Sequence, residues 1–528
     1  MLSFNKKHWD VDTILACSCI VVFAVCVHTF QYRGVLGESD LYRVLNGMLD
    51  GANSGAKLGS DLHYGRDFGF GYILALYALL PNEILRDPDR LIPIINDIGF
   101  YFVIVGLFFF WLSTRLVYGA RAAMVAMALF AFSPMILEIA TSGHQVLIAF
   151  CFLSIAATFL FWPLAGWRAA LAASIGAILL ICGLCMRAEI FLALPYLVLM
   201  RTKTTSWRIF IRSFIANSIA PAAALIAFFI LRHYMASFPG NTAGFFGQFY
   251  HWSDIAPGLV YMALGCGIAT VLVGTGVLAF LVVRSVRSLG PIDAKITVDE
   301  LIGPIALIIV PFAFWIANPQ PSRHFLLVLA GFAILIGWAV NRLLALRVVS
   351  ALVTVLAIIV ANQVLSEVVR PILLRTNAAR SPYRSPPQFS TTFTHAPLGW
   401  SWQHHSALED RLLRWKALGD TVATACDTNV VIFSDESDQL FSRLYAGGLK
   451  VQSSVGYVDG FLAFSGTLKS HHFVFMPKMT GWPKDAIASV LSDPRFNGYQ
   501  LYADPYLPSV YDKTAIPADR IVRFGCKN

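Results

Sequence analysis

Apolar runs of about 20 residues recur along this chain of 528 residues as far as about residue 366, and none follows. A helix of that length crosses a hydrocarbon core of about 30 Å. Inside hydrocarbon each segment must satisfy its own backbone hydrogen bonds, so a chain with many such runs is a bundle of membrane helices. The composition agrees, since 57% of the residues are hydrophobic and 13% charged, against roughly 45–50% and 25% in an ordinary soluble domain. The formal charge of +9 could point to nucleic acid, but the Lys and Arg lie mostly in short clusters between the apolar runs. There they orient a membrane protein, and nucleic acid is set aside as a partner.

Eleven spans are read, near residues 11–30, 97–114, 122–139, 145–163, 169–186, 189–200, 213–232, 258–283, 301–318, 325–341 and 348–366. With a cytoplasmic N-terminus the inner segments carry Lys6, Lys7, Arg115, Arg121, Arg168, Arg201, Lys203, Arg208, Arg212, Arg284, Arg287, Lys295, Arg342 and Arg347. The short outer loops carry Arg187, Arg232 and Arg323. Fourteen against three is the positive-inside bias, and an odd span count places the C-terminal part outside. The first run, VDTILACSCIVVFAVCVHTF, follows a basic start but ends without a small-residue cleavage site, so it reads as a retained span. The run at 189–200 is short and contains Pro195, which suits a broken helix.

The division that results is a membrane-embedded domain over 1–366 with a long first external loop at 31–96, a connector over 367–390, and an extracytoplasmic α/β domain over 391–528. In the loop, LYRVLNGMLDG has apolar residues at helical spacing, and FGYILALYALL is apolar but about half a span long. Both read as helices lying at the membrane surface. Glu38 and Asp40 stand just before the first of them. A carboxylate there can take a proton from a substrate hydroxyl. Asp40 is equally well placed to cap LYRVLNGMLDG, and position alone does not choose between the two roles.

An acidic residue soon after the first span, then Tyr42, NGMLDG and the aromatic-glycine stretch HYGRDFGFGYILALY together resemble the first external loop of C-type (GT-C) membrane glycosyltransferases. RLVYGARAAMVAMALFAFSPMIL, MRAEIFLALPYLVL and PSRHFLLVLAGFAILIGWA follow in the family's order, so the likeness covers about residues 10–345. It implies an enzyme of the aminoarabinose transferase and protein O-mannosyltransferase kind. Such an enzyme moves a sugar from a polyprenyl-phosphate carrier to an acceptor lipid, glycan or protein on the outer side, with the bilayer as its surroundings. By the resemblance a first-loop acid is the general base, with Asp40 the nearest match and Glu38 the alternative.

The chain departs from the family in its second external loop. LEIATSGHQ offers Glu138, His144 or Gln145 where many members carry another acid, so no cofactor is assigned and a divalent metal lacks support. The carrier phosphate needs cations. Arg187, Arg323 and His324 lie at outer span ends, where charges mark function. For Arg187 a salt bridge with Glu189, or snorkelling to headgroups, is the competing role. Tyr64, Arg66 and Asp67 are candidates for sugar or acceptor contacts beside plain loop packing.

Two other classes fit a multi-pass chain. A transporter would also carry interrupted helices and intramembrane charges, but the hydropathy shows no inverted repeat. A lipid-linked glycan polymerase or ligase is expected to carry its main external loop late, and here it follows the first span. The build points to a plasma (inner) membrane rather than endoplasmic reticulum.

In the C-terminal part NVVIFSD, KVQSSVG and HHFVFMPK read as strands, and SDQLFSRLYAG and KDAIASVLSD as helices. No Gly-rich phosphate loop follows NVVIFSDESDQ, and the pairs His404–His405 and His471–His472 lack ligand spacing. The Pro- and Ser-rich RSPYRSPPQFSTTF reads as an extended connector. Seven of the nine cysteines fall in the spans as small apolar residues, which leaves Cys426 and Cys526 together in the outer compartment. A disulfide between them would close a loop of about 100 residues and stabilise the fold by about 4–5 kcal/mol in the chain-entropy model. Mass spectrometry of non-reduced peptides should show that cross-link, and alkylatable thiols at both positions would refute it.

Overall fold

The computed structural model describes residues 11–32, 34–36, 45, 70–202, 206–235, 255–286, 294–316 and 322–380, together with residues 409, 413 and 416 and five short strands. The helices are α1 (Val11–Phe30), α2 (Phe70–Leu79), α3 (Asn82–Leu85), α4 (Pro88–Tyr118), α5 (Ala120–Ala131), α6 (Pro134–Thr141), α7 (Gln145–Phe161) and α8 (Trp167–Met186). A 3-10 turn at Ala188–Ala193 leads into α9 (Leu194–Leu199), followed by α10 (Trp207–Met235), α11 (Ile255–Cys266), α12 (Ile268–Val286) and α13 (Ala294–Trp315). A second 3-10 turn, Ser322–Phe325, opens α14 (Leu326–Arg342), and α15 (Val348–Arg380) closes the bundle.

All eleven apolar runs are helical. Among the described residues five helices are long and apolar enough to cross a membrane singly, and two bent pairs raise the number to seven. Burial sorts the helices into layers. Every residue of α14 from Leu326 to Val340 is buried, as is every residue of α5 from Ala122 to Ala131, and α7 is nearly so. These form the centre, with α4 against α7 and α5 against α14. α1, α10 and α15 surround them and turn Val22, Ile219, Ile226, Val353 and Val360 outward, each more than half exposed. Such a surface suits lipid.

Four boundaries differ from the sequence reading. The span expected at 122–139 is two helices bent by 62° where Ser133 and Pro134 interrupt α5 and α6. The span expected at 258–283 is also two helices, bent by 103° at Gly267, whose φ of +90° stops α11. Hydropathy averages over such a break, so an uninterrupted apolar run did not reveal it. The first loop, expected to run to residue 96, ends sooner because Asp87 caps α4 by accepting from the Asp89 amide at 3.0 Å, with Pro88 in the first turn. The connector expected from residue 367 begins as helix, since α15 continues to Arg380. At 188–199 the helix is broken as expected, with a 3-10 stretch ahead of Pro195. FGYILALYALL is helical as α2, whereas Leu45 is the sole described residue of LYRVLNGMLDG, helical and fully buried.

A bent helix inside a bundle frees backbone groups that water cannot reach. α15 supplies their partners through two adjacent polar residues. Asn362 Oδ1 accepts from the Thr270 amide at 3.1 Å while its Nδ2 donates to Thr270 Oγ1 at 2.8 Å. Gln363 Nε2 donates to the Phe132 carbonyl at 3.3 Å, at the other break. The Cys266 thiol, 3.7 Å from the Phe325 carbonyl, ties the Gly267 bend to the second 3-10 turn.

Beyond α15, β1 (Val430–Phe433) lies between β2 (Val451–Ser453) and β3 (His472–Phe475) in a parallel sheet of order β2-β1-β3. β4 (Leu501–Ala503) and β5 (Val522–Phe524) pair antiparallel. β1, β2 and β3 fall within the three segments expected to form strands, whereas β4 and β5 lie outside them. SDQLFSRLYAG, KDAIASVLSD, Cys426 and Cys526 lie outside the described residues. Lys416 reaches the bundle, with Nζ 2.7 Å from Asp89 Oδ1 at the start of α4 and close to Gly34. Lys416 therefore lies at the end of the bundle where α4 begins.

Replacing Asn362 with Leu keeps the size but leaves the Thr270 amide buried and unpaired, which costs about 1–3 kcal/mol. Thermal unfolding in detergent should show a clear drop for Asn362→Leu. An unchanged midpoint would mean that the break is satisfied by other groups.

Candidate functional site

The polar residues of the membrane domain gather where α4 and α7 begin, α6 and α8 end, and α14 starts. α8 stops at Met186 because Arg187 takes an extended backbone, φ −158° and ψ 109°, while its amide still donates to the Gly183 carbonyl at 2.9 Å. The following 3-10 turn carries Glu189. One oxygen of that carboxylate, Oε1, stands 2.8 Å from Arg187 Nη2 and 3.0 Å from His324 Nδ1. Arg187, Glu189 and His324 are 4%, 9% and 8% exposed, so the whole cluster is out of water. A fixed positive charge, a carboxylate and a titratable imidazole thus meet at one oxygen atom.

Aromatic packing holds the cluster together. The Trp315 ring lies 4.4 Å from that of His324, Phe314 stands edge-on to Trp315 at 4.8 Å, and Phe191 from the first 3-10 turn meets Phe314 at 5.7 Å. These contacts join the end of α13 to both 3-10 turns, so neither Glu189 nor His324 can swing away without opening a cavity. Arg187 Nε and Trp315 Nε1 are buried without a hydrogen-bond partner among the described residues. A buried guanidinium N–H without a partner can take an oxyanion.

A second polar group adjoins the first. α6 packs against the Ser322–Phe325 turn and α7 against the Ala188–Ala193 turn. Glu138 on α6 is 1% exposed and His144 is fully buried. His144 caps α7, its Nδ1 accepting from the Val146 amide at 3.0 Å. The turn between α6 and α7 lies tight against α4. Gly143 has φ +65°, and a Cβ on Gly99 would stand 2.2 Å from the Gly143 Cα. Only glycine fits both positions. Among the described residues no three His, Cys, Asp or Glu gather as a metal-ligand set.

The start of the first loop is fixed to the same place. The Tyr32 amide donates to the Thr141 carbonyl at 3.3 Å, and Asn96 Nδ2 donates to the carbonyls of Tyr32 and Val35 at 3.0 and 3.2 Å. Val35 and Leu36 are fully buried. A Cβ on Gly71 would stand 2.8 Å from Cys185 Cβ, so α2 rests against the end of α8 just before Arg187. The loop therefore leaves and rejoins the bundle around the two polar groups.

Of the residues singled out in the sequence, Arg187, Glu189 and His324 come together, and Glu138 and His144 are buried where α6 and α7 pack against the turns that carry them. Arg323 belongs to the same 3-10 turn as His324, and the described residues do not extend to its side chain. Glu38, Asp40, Tyr64, Arg66 and Asp67 lie outside the described residues. Of the roles weighed for Arg187, the ion pair with Glu189 is present, and its Nε has no hydrogen-bond partner among the described residues. Asn96 and Trp315 were missed. Asn96 had a signal, as a polar residue at the head of an apolar run.

No protein-family model matches the sequence. No curated protein matches it either. Solved structures do. The crystal structure of ArnT from Cupriavidus metallidurans bound to undecaprenyl phosphate is similar over 93% of this chain and 95% of its own, with 13% identity and a TM-score of 0.54. The apo structure of the same protein gives the same coverage with 15% identity and a TM-score of 0.53. The oligosaccharyltransferase AglB from Archaeoglobus fulgidus, in complex with an inhibitory peptide and a dolichol-phosphate, gives 12% identity over 95% of this chain and 74% of its own, with a TM-score of 0.48.

Glu189→Gln should destabilise the protein by about 3–5 kcal/mol, because it leaves the Arg187 charge buried without compensation. Thermal unfolding in detergent reads this directly. A midpoint equal to that of the parent would show that Glu189 does not neutralise Arg187.

Proposed function

Starting from the C-type glycosyltransferase fold, which this chain shares with ArnT, we propose that it transfers a sugar from a polyprenyl-phosphate carrier to an acceptor at the membrane face bearing the first loop. The observation that carries this reading is the Arg187–Glu189–His324 cluster at the loop's edge. It is a buried Arg–Glu–His cluster whose guanidinium Nε has no hydrogen-bond partner among the described residues. Guanidinium pairs with phosphate oxygens through charge-assisted hydrogen bonds, and burial strengthens them. Arg323, from the same turn as His324, adds a second guanidinium.

The reaction needs a base on one side of the anomeric carbon and an anion sink on the other. Asp40 takes the proton of the acceptor hydroxyl or amine as that atom bonds to the anomeric carbon. The bond from that carbon to the carrier phosphate breaks, and the electron pair leaves with the phosphate, whose charge Arg187 receives. Glu189 holds Arg187 and His324 in register, and Glu38 is the alternative base. Support for a first-loop base is positional, since residues 32–36 are fixed between Asn96 and Thr141, a few residues ahead of Glu38 and Asp40. Glu138, His144, Tyr64, Arg66 and Asp67 are left as groups for the sugar and the acceptor. The C-terminal part and its α/β domain lie on the same side, with the N-terminus in the cytoplasm of a plasma membrane.

Asp40→Asn keeps the shape and removes the proton acceptor, so transfer from a labelled polyprenyl-phosphate sugar should fall by about 10²–10⁴. Binding of undecaprenyl phosphate itself should stay near the parent value. Arg187→Ala should do the opposite and weaken that binding. Full turnover in Asp40→Asn with loss in Glu38→Gln would move the base to Glu38. Unchanged undecaprenyl phosphate affinity in both Arg187→Ala and Arg323→Ala would sink the phosphate site.

A further inference from the structure

The opposite end of the bundle carries a surface that the transfer reaction does not use. α8 and α10 pack against each other, and each opens with the dipeptide Trp-Arg, Trp167-Arg168 in one and Trp207-Arg208 in the other. The two openings lie at the same end. Arg201, shortly before α10, donates through Nη1 to the Leu160 carbonyl, shortly before the turn that leads into α8. Trp167 and Trp207 are 71% and 73% exposed, which is far more than an indole in a protein core shows. Arg168, Arg208 and Arg212 are exposed as well.

The side chains on these first turns are ordered by aromatic contact. The Arg168 guanidinium carbon lies 5.7 Å from the Trp167 ring centroid. Trp207, Phe210 and Phe214 form a stacked row along α10, with ring separations of 5.6 and 5.8 Å and interplanar angles of 14° and 25°. Phe214 leads on into Ile215, Ile219 and Ile226, which are exposed along the same helix. Arg208 and Arg212 are four residues apart and share a neighbouring face of the helix. A surface of this kind is apolar toward the hydrocarbon, aromatic at the boundary and cationic just beyond it.

We propose that the paired openings of α8 and α10 bind the headgroup of an anionic phospholipid, with Arg168, Arg208 and Arg212 on its phosphate and Trp167 and Trp207 at the glycerol level. Charge complementarity selects this occupant. Three exposed guanidinium groups would repel one another against a zwitterionic surface and need an anion between them, and the two helix N-termini add positive potential at the same place. A second copy of this chain would bring the same cations face to face.

Native mass spectrometry of the purified full-length protein tests the assignment, after equilibration in nanodiscs holding equal phosphatidylglycerol and phosphatidylcholine. The parent should retain phosphatidylglycerol in preference, and the triple variant Arg168→Gln, Arg208→Gln, Arg212→Gln should reduce that preference roughly tenfold. Arg347→Gln removes an exposed charge elsewhere and should leave the preference intact. An equal loss in Arg347→Gln would show a response to net charge rather than a site, and an unchanged triple variant would overturn the proposal. All four positions are exposed, so folding is not at stake, and undecaprenyl phosphate binding at the other end should be the same in every variant.

Discussion

Every polar group that the bundle buries has to find its partner inside the protein, and this constraint shapes the structure more than any single contact. The membrane domain breaks its helices at Ser133–Pro134, at Arg187 and at Gly267, and each break exposes backbone that hydrocarbon cannot satisfy. Ser133 accepts from the Ile136 amide at 3.3 Å, and Gln363 donates to the Phe132 carbonyl on the other side of that break. Asn362 serves the Gly267 break in the same way. Two neighbouring residues of α15 thus hold both bent pairs, which makes the last helix a brace for helices far from it in sequence.

The breaks lead toward the polar end. α6 leaves the first break to carry Glu138 and end beside His144, Arg187 stands at the second, and Cys266, next to the third, touches the turn that carries His324. Straight spans would have buried apolar side chains at these depths. Interrupted ones bring a guanidinium, a carboxylate and imidazoles into a space bounded by Trp315, Phe314 and Phe191. A charged cluster of this kind costs stability through desolvation.

The two ends of the bundle divide the charge. At one end Arg187 and His324 are buried and engaged with Glu189. At the other, Arg121 donates to the Leu346 carbonyl at 2.6 Å, and Arg342 and Trp338 hold Glu300 at 3.1 and 2.7 Å, while Arg168, Arg208 and Arg212 stay on the surface. The same residue type therefore closes the bundle internally in one layer and faces the lipid boundary in the next.

By itself the sequence determined the helical membrane architecture, because hydropathy over about 20 residues is a local property and the bilayer sets the length. It also gave the family likeness and marked Arg187, Glu189 and His324, because charges are conspicuous between apolar runs. Strands β1, β2 and β3 of the C-terminal part were legible for the same local reason. Tertiary structure alone decided that α11 and α12 turn by 103°, since Gly267 is one small residue in an apolar run and Asn362, which satisfies Thr270 just beyond it, lies 92 positions after Thr270. It alone joined Glu189 to His324 across 135 positions and set Asn96 against the start of the first loop. Periodicity carries no information about contacts at such separations; they follow from which helices pack together and from where a buried polar atom can find its complement.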